Sequence, residues 1–287
     1  MKKICTLVLV SAISFNCLAQ TQKIVLEKKQ QLKFVTTLKS ATAIDAVTQS
    51  MDINSNATSS KTVVVNDVAK DKYDIDLTTT KFKIDFSMMG DIKKFDSEDK
   101  SDTTGEFKDL AKTIDVPLKI FLYKNGMSVA ADTTKKIVTT STNNTNPLTS
   151  LLGKALTEGV NEPAMVESYF MLIPNGKKLG DSWEDSSING DNKIYNKYTW
   201  DSTKASIATI KISGKVNNKI NTEIAEMGMT LDATMNNTIT ETRKVDIKTG
   251  VITFRNSKIV VDGSAELMGM TMPITGITET TTILDEQ

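Results

Sequence analysis

The sequence predicts a mainly β fold of the α+β class. The expected form is one large curved antiparallel sheet, half-barrel-like, with a few short amphipathic helices over its concave face. Three observations carry this. Apolar and polar residues alternate over long stretches, turn signals separate those stretches, and three short segments replace alternation with a helical stripe. Short helices with one oily side need a sheet face to cover.

Residues 1–19 read as a signal peptide. Lys2 and Lys3 supply the charged start, Ile4 to Phe15 is mostly apolar, and Cys17-Leu18-Ala19 ends on a small residue suited to cleavage before Gln20. The apolar run is too short to span a bilayer, and no later segment reaches that length. Acylation of Cys17 is the alternative, for which Phe15 and Asn16 are poor neighbours. Residues 20–287 are then expected as a single β-rich domain with a helical insert at about 146–172.

The strands follow in order. Leu32, Phe34, Thr36 and Leu38 share one face, as do Tyr73, Ile75 and Leu77, and then Phe82, Ile84, Phe86 and Met88. Parity flips between Leu77 and Phe82, so a β-bulge or bend is expected across the threonines at 78–80. Val116, Leu118, Ile120 and Leu122 form the next strand, ending at the hairpin signal Asn125-Gly126. Later, Ile194, Tyr198 and Trp200 alternate, then Ile210 and Ile212. The longest run is Met227 to Ile239, with threonine, asparagine and aspartate opposite the apolar side.

Three segments depart from alternation. Thr103 and Glu106 form a capping box before Phe107, Leu110, Ala111 and Ile114, which fall on one helical stripe. Asn146 and Pro147 open a helix expected over 147–158, with Leu148, Leu151, Leu152, Ala155 and Leu156 on one side and Gly159 as its stop. Asn161 caps a third, over 162–172, through Met165, Val166, Tyr169 and Phe170 until Pro174-Asn175-Gly176. A helical insert rather than a long linker favours one body over two sandwiches divided near residue 140.

The segments MGMTLDATMNNTITET (from Met227) and MGMTMPITGITET (from Met268) are partial copies. Turns at DIKTGV and at Asp262-Gly263 make a three-stranded meander in which the copies run parallel, one strand apart, above Ile259 or Val260. Their methionines fit strand packing, an adaptable wall for apolar ligands, or a soft-metal site, and no His or Cys assists the last.

Composition removes several chemistries. The chain has no histidine, and its two cysteines, Cys5 and Cys17, lie in the leader, so Ser-His-Asp triads, cysteine nucleophiles and His-based zinc sites drop out. Arg243 and Arg255 are the only arginines and lysines are scattered among acids, which argues against nucleic-acid binding. Ser97 to Lys100 matches S-x-x-K in an acidic loop, and DSEDKSD (96–102) lacks calcium-loop spacing. Trp183 and Trp200, each beside acids, read as core anchors before they read as a sugar platform. No catalytic residue, metal or cofactor is assigned.

The leader, FDS at 95–97, LGDSW at 179–183, DIKTG at 246–250 and the doubled MGMT together resemble a family of exported Bacteroidetes proteins, domain of unknown function 6263. That resemblance implies a β-rich, secreted or envelope protein and brings no activity, cofactor or catalytic residue. The expected architecture is also similar to the half-barrel carriers that shelter lipoprotein acyl chains in the periplasm, a likeness of form only.

The resulting expectation is an exported, non-enzymatic protein of the periplasm or envelope that binds a lipid or other apolar ligand between the sheet and the helices over 147–158 and 162–172. From the helices, Phe107, Leu110, Leu151, Leu152, Met165 and Phe170 would line the site. From the strands, Met229 and Met270 would face them. The alternative is an envelope scaffold with a filled core and no small ligand. An enzyme built on two buried acids stands third.

Overall fold

A computed structural model describes residues 23–46, 49–88, 90–99, 108–131, 164–189, 192–224, 229–267 and 269–285. Alternation becomes strand almost everywhere. The first half supplies β1 (Gln31–Ala46), β2 (Gln49–Val68), β3 (Lys72–Met88), β4 (Asp91–Asp96), β5 (Leu118–Tyr123) and β6 (Ser128–Ala130). The second supplies β7 (Ser182–Asn189), β8 (Asn192–Lys204), β9 (Ile207–Ile224), β10 (Met229–Asp246), β11 (Ile252–Leu267) and β12 (Met270–Leu284). All twelve join in one open antiparallel sheet, ordered β6-β5-β3-β2-β1-β12-β11-β10-β9-β8-β7, with β4 also on β3. The first and last strands therefore meet at its centre, in register from Phe34 opposite Leu284 to Ile44 opposite Ile274.

Cross-strand register fixes one inner face. It carries Leu32 and Phe34 of β1, Val63 and Val65 of β2, and Tyr73, Ile75 and Leu77 of β3, all buried. On β3 the register jumps from Ser60 opposite Lys81 to Lys61 opposite Thr79, leaving Thr80 as the extra residue. This is the bulge that the parity flip predicts. It keeps Phe82, Ile84 and Phe86 on the face that Tyr73, Ile75 and Leu77 occupy, where a regular strand would turn them away. The Thr80 hydroxyl donates to the Ser60 carbonyl at 3.2 Å and ties the bulge down.

The end of the sheet with the β10–β11 turn, called the near end, is the closed one. Lys23–Gln30 runs along its rim: Ile24 N–H donates to the Lys124 carbonyl at 2.8 Å and Val25 N–H to the Thr249 carbonyl at 3.0 Å. Tyr73 Oη donates to the Ile24 carbonyl at 2.8 Å and accepts from Leu26 N–H at 3.1 Å. Asn125-Gly126 makes its hairpin turn as expected, with Gly126 at φ 96°.

The helical expectations need correction. Among the described residues only two helices occur, α1 (Lys108–Ala111) and α2 (Ala164–Glu167), four residues each. The third predicted helix, over 162–172, is cut to α2. After it the chain extends: Met171 N–H donates to the Gly250 carbonyl at 2.8 Å and Ile252 N–H to the Tyr169 carbonyl at 2.9 Å. Pairing with the β10–β11 turn replaces helix bonds, and one isolated turn is too short to resist it. The helix over 147–158 lies outside the described residues.

The methionine meander forms, with β11 between the parallel β10 and β12, but the expected turn at Asp262-Gly263 is not made. Both residues pair on either side within β11, which runs on to Leu267 before the chain turns into β12 at Met270. Its register differs. Met270 faces Leu267 and Met272 faces Ala265, so the copies sit at the far end of β11 and not above Ile259 or Val260.

Candidate functional site

The strap formed by residues 164–173 crosses the inner face near its closed end. Met165 lies over β2, Tyr169 stacks on Phe34 of β1 with ring centroids 4.0 Å apart and planes 9° apart, and Met171 and Ile173 reach the second apolar cluster around Trp200, Ile210 and Val245. Val166, Tyr169 and Phe170 fill the first cluster, with Ile75, Ile120 and Leu122. The segment lies against the sheet as a strap and not as the expected helix, and Val166, Tyr169 and Phe170 fill the space expected to hold a ligand between the sheet and the 162–172 segment.

Polar groups interrupt this apolar floor. Lys61 of β2, 2% exposed, donates to Met165 Sδ at 3.2 Å. Burial pulls its ammonium pKa down to about 7. Tyr169 has its phenol pKa raised, again by burial.

The second interruption is larger. Register sets Arg243 of β10 directly opposite Arg255 of β11, a repulsive pairing by itself. Glu241, two residues from Arg243 on the same face and 4% exposed, resolves it. Its Oε1 accepts from Arg243 Nε and, at 2.9 Å, from Arg255 Nε, while Oε2 accepts from Arg255 Nη2 at 3.1 Å. Burial pushes the Glu241 pKa up, but the two guanidinium groups outweigh it and hold the carboxyl below its usual range.

One carboxylate thus serves two arginines. Among the described residues, neither terminal nitrogen of Arg243 has an acceptor, and Arg255 uses only one of its own. Both side chains keep an exposed fraction, 20% and 26%. Beside Glu241 the buried Ser257 Oγ also has no partner among the described residues. Neither arginine was singled out as a site residue from sequence. The signal was present in the DIKTG turn, whose register brings 243 and 255 together.

The expected lining residues are not gathered in one place. Leu110 is buried in a third cluster with Phe82, Ile84 and Phe95, over the β3–β4 part of the inner face. Met165 and Phe170 belong to the strap. Met270 is 49% exposed at the start of β12. Met229 opens β10 opposite Ile224. Phe107, Leu151 and Leu152 lie outside the described residues.

Other candidates have structural partners. Ser97 Oγ accepts from Phe82 N–H at 2.9 Å, and Asp96 and Glu98 pair with Lys83 and Lys81 at 3.2 and 2.6 Å. Trp200 is buried and donates from Nε1 to Thr203 Oγ1 at 2.7 Å, and Trp183 stacks on Tyr198 at 5.4 Å. A groove of about 600 Å³ crosses the central strands on the opposite, outer face, past Ala41, Val260 and Ile277.

A profile for a family of unknown function (DUF6263) matches residues 70–252. That is more than half of the sequence, and the chain belongs to this family. The match spans FDS, LGDSW, DIKTG and the first MGMT, and stops before the second. No curated protein matches. A solved structure concerned with lipid–protein interactions in lipovitellin aligns at 8% identity and a TM-score of 0.48, over 91% of this chain and 25% of that one. The chain thus spans about a quarter of that protein's length. An outer membrane channel from Pseudomonas putida F1 aligns at 8% identity and a TM-score of 0.22, over 92% and 98% of the two chains. At these scores neither likeness bears on what the chain does.

Proposed function

We propose that this DUF6263 member is an exported, non-enzymatic protein of the cell envelope that holds an apolar ligand, a lipid or acyl chain, on the inner face of its sheet. The observation behind this reading is the middle of that face. Between the strap and the far-end clusters, Leu38 of β1, Ile259 and Val261 of β11, Ile239 of β10 and Val216 of β9 form a half-buried, mostly apolar band, with Thr278 of β12 and Asn237 of β10 set among them. Gly214, Gly263 and Gly276 stand on the same face, and a Cβ at Gly263 or Gly276 would press on the backbone of the adjoining strand. Such approaches fit a bend of the sheet around the band. A trough of this kind suits a long apolar chain, which buries roughly 0.8 kcal/mol per CH₂. The leader at 1–19, with cleavage before Gln20, supports export in this reading.

Ile259 and Val260 are neighbours on opposite faces, which makes the test direct. Titrating the mature chain with the fluorescent fatty acid cis-parinaric acid should show saturable binding. Ile259→Asp should abolish it and Val260→Asp should leave it intact, with thermal melts confirming that both variants fold. Equal effects from the two, or no binding by the parent protein, would count against the trough and favour a scaffold with a filled core.

A further inference from the structure

The inner face carries more positive charge than its apolar setting requires. Glu241 neutralises one arginine of the pair, and the second leaves a local charge of +1 on a floor flanked by the two near-end apolar clusters. Packing two like charges opposite one another in such a place is costly. A structural pair would need one arginine. The terminal nitrogens of Arg243 have no acceptor among the described residues, yet the side chain is confined, only 20% exposed.

From this geometry we infer that Arg243, with the free Nη1 edge of Arg255, is the anchor for the oxyanion head of an anionic amphiphile whose chain lies along the apolar band. This assignment rests on the proposed trough and names the class of its ligand. The strands supply the alignment. Arg243 and Ile239 lie on the same face of β10, and Arg255 and Ile259 on the same face of β11, four residues apart in each case. At about 3.4 Å per residue the head site is roughly 14 Å from the band, within the length of a long acyl chain. Glu241 has a positioning role: its Oε1 accepts from both Nε atoms and its Oε2 from Arg255 Nη2, which leaves both terminal nitrogens of Arg243 and Nη1 of Arg255 to a ligand. Guanidinium donors suit carboxylate and phosphate alike.

The test uses palmitate, its neutral counterpart hexadecanol, and inorganic phosphate on the full mature chain and on Arg243→Met. That substitution removes the excess charge and leaves Arg255 paired with Glu241, so the fold should hold, and a thermal melt checks it. The assignment expects palmitate binding to weaken at least about tenfold in the variant, the loss typical of a charge-assisted hydrogen bond, while hexadecanol binding is unchanged. Equal changes for the two amphiphiles overturn it, as does unchanged palmitate binding. Phosphate binding as tight as palmitate also overturns it, because the site would then serve a free anion. Parent protein that takes up hexadecanol but not palmitate removes the anchor and leaves the trough standing. Parent protein that takes up neither amphiphile removes both.

Discussion

At the scale of single residues, Glu241 holds the most exposed position in the energetic sense, since its loss leaves two facing guanidinium groups on a largely buried floor. Breaking one side of a buried pair costs about 3–5 kcal/mol, whereas replacing the whole group by apolar residues is often neutral. Glu241→Gln should therefore lower stability by an amount in that range in urea denaturation. Adding Arg243→Met and Arg255→Met should recover most of the loss. A triple variant no more stable than the single one would show that the network is structural in its own right. Lys61 makes a prediction of opposite sign to an ordinary salt bridge. Its folded pKa, about 7, lies below the ordinary 10.5, so between those values the unfolded chain binds more protons than the folded one. Stability should rise with pH across that window, by up to about 1.4 kcal/mol per unit, and be indifferent to Lys61 below it. Unfolding of the parent and of Lys61→Met at pH 7 and pH 9 checks this, because the rise should vanish in the variant. Sequence could not single out Lys61, which is one lysine among many until the β2–β3 register and Met165 bury it. The arginines were legible in principle. Their scarcity argues only against nucleic-acid binding, and their meeting depends on register across a turn and not on spacing along the chain.

At the scale of elements, strands were the most legible feature, since a period of two is visible in any six residues. The bulge at Thr80 could be read for the same reason: a parity change needs one extra residue somewhere between Leu77 and Phe82. Helices were less legible. Val166, Tyr169 and Phe170 have helical spacing, yet the strap buries Met171 and Ile173 as well, and apolar side chains on successive turns and extensions serve two clusters at once. Tertiary pairing at Gly250 overrode local preference. The methionine copies misled in register by half a strand, because repeats fix which strands are parallel and say little about where each hairpin closes. Strand glycines offer a test at this scale. A Cβ at Gly263 would meet the Thr234 carbonyl and Met235 Cα, both backbone, while at Gly214 the nearest atom is the side-chain end of Asn196. Backbone yields less readily than a rotamer. Gly263→Ala should cost about 1–3 kcal/mol and Gly214→Ala less, as measured by chemical denaturation. The reverse order would contradict a bend at Gly263.

At the scale of the whole molecule, the sheet joins its first and last strands at the centre and closes one end with its own N-terminal rim and strap. The outer face mixes polar side chains with exposed Val260, Ile277 and Ile283, and the apolar surface that folding buries lies mainly on the inner side. The near end hides it with chain. The band from Leu38 to Val216 is the proposed seat of the ligand's apolar chain, and the arginine pair the proposed seat of its charge. Whole-molecule shape was only partly legible from sequence: the sheet followed from alternation, whereas strand order and the location of the charged floor required register between segments more than 200 residues apart, such as Phe34 and Leu284. The most direct measurement is a native mass spectrum of the mature chain, from Gln20 onward, purified from the envelope fraction without detergent, followed by denaturation and analysis of the organic extract. The expected result is a stoichiometric apolar adduct that is released on unfolding and carries an anionic head. A bare polypeptide mass, with nothing lipid-like in the extract, would contradict it.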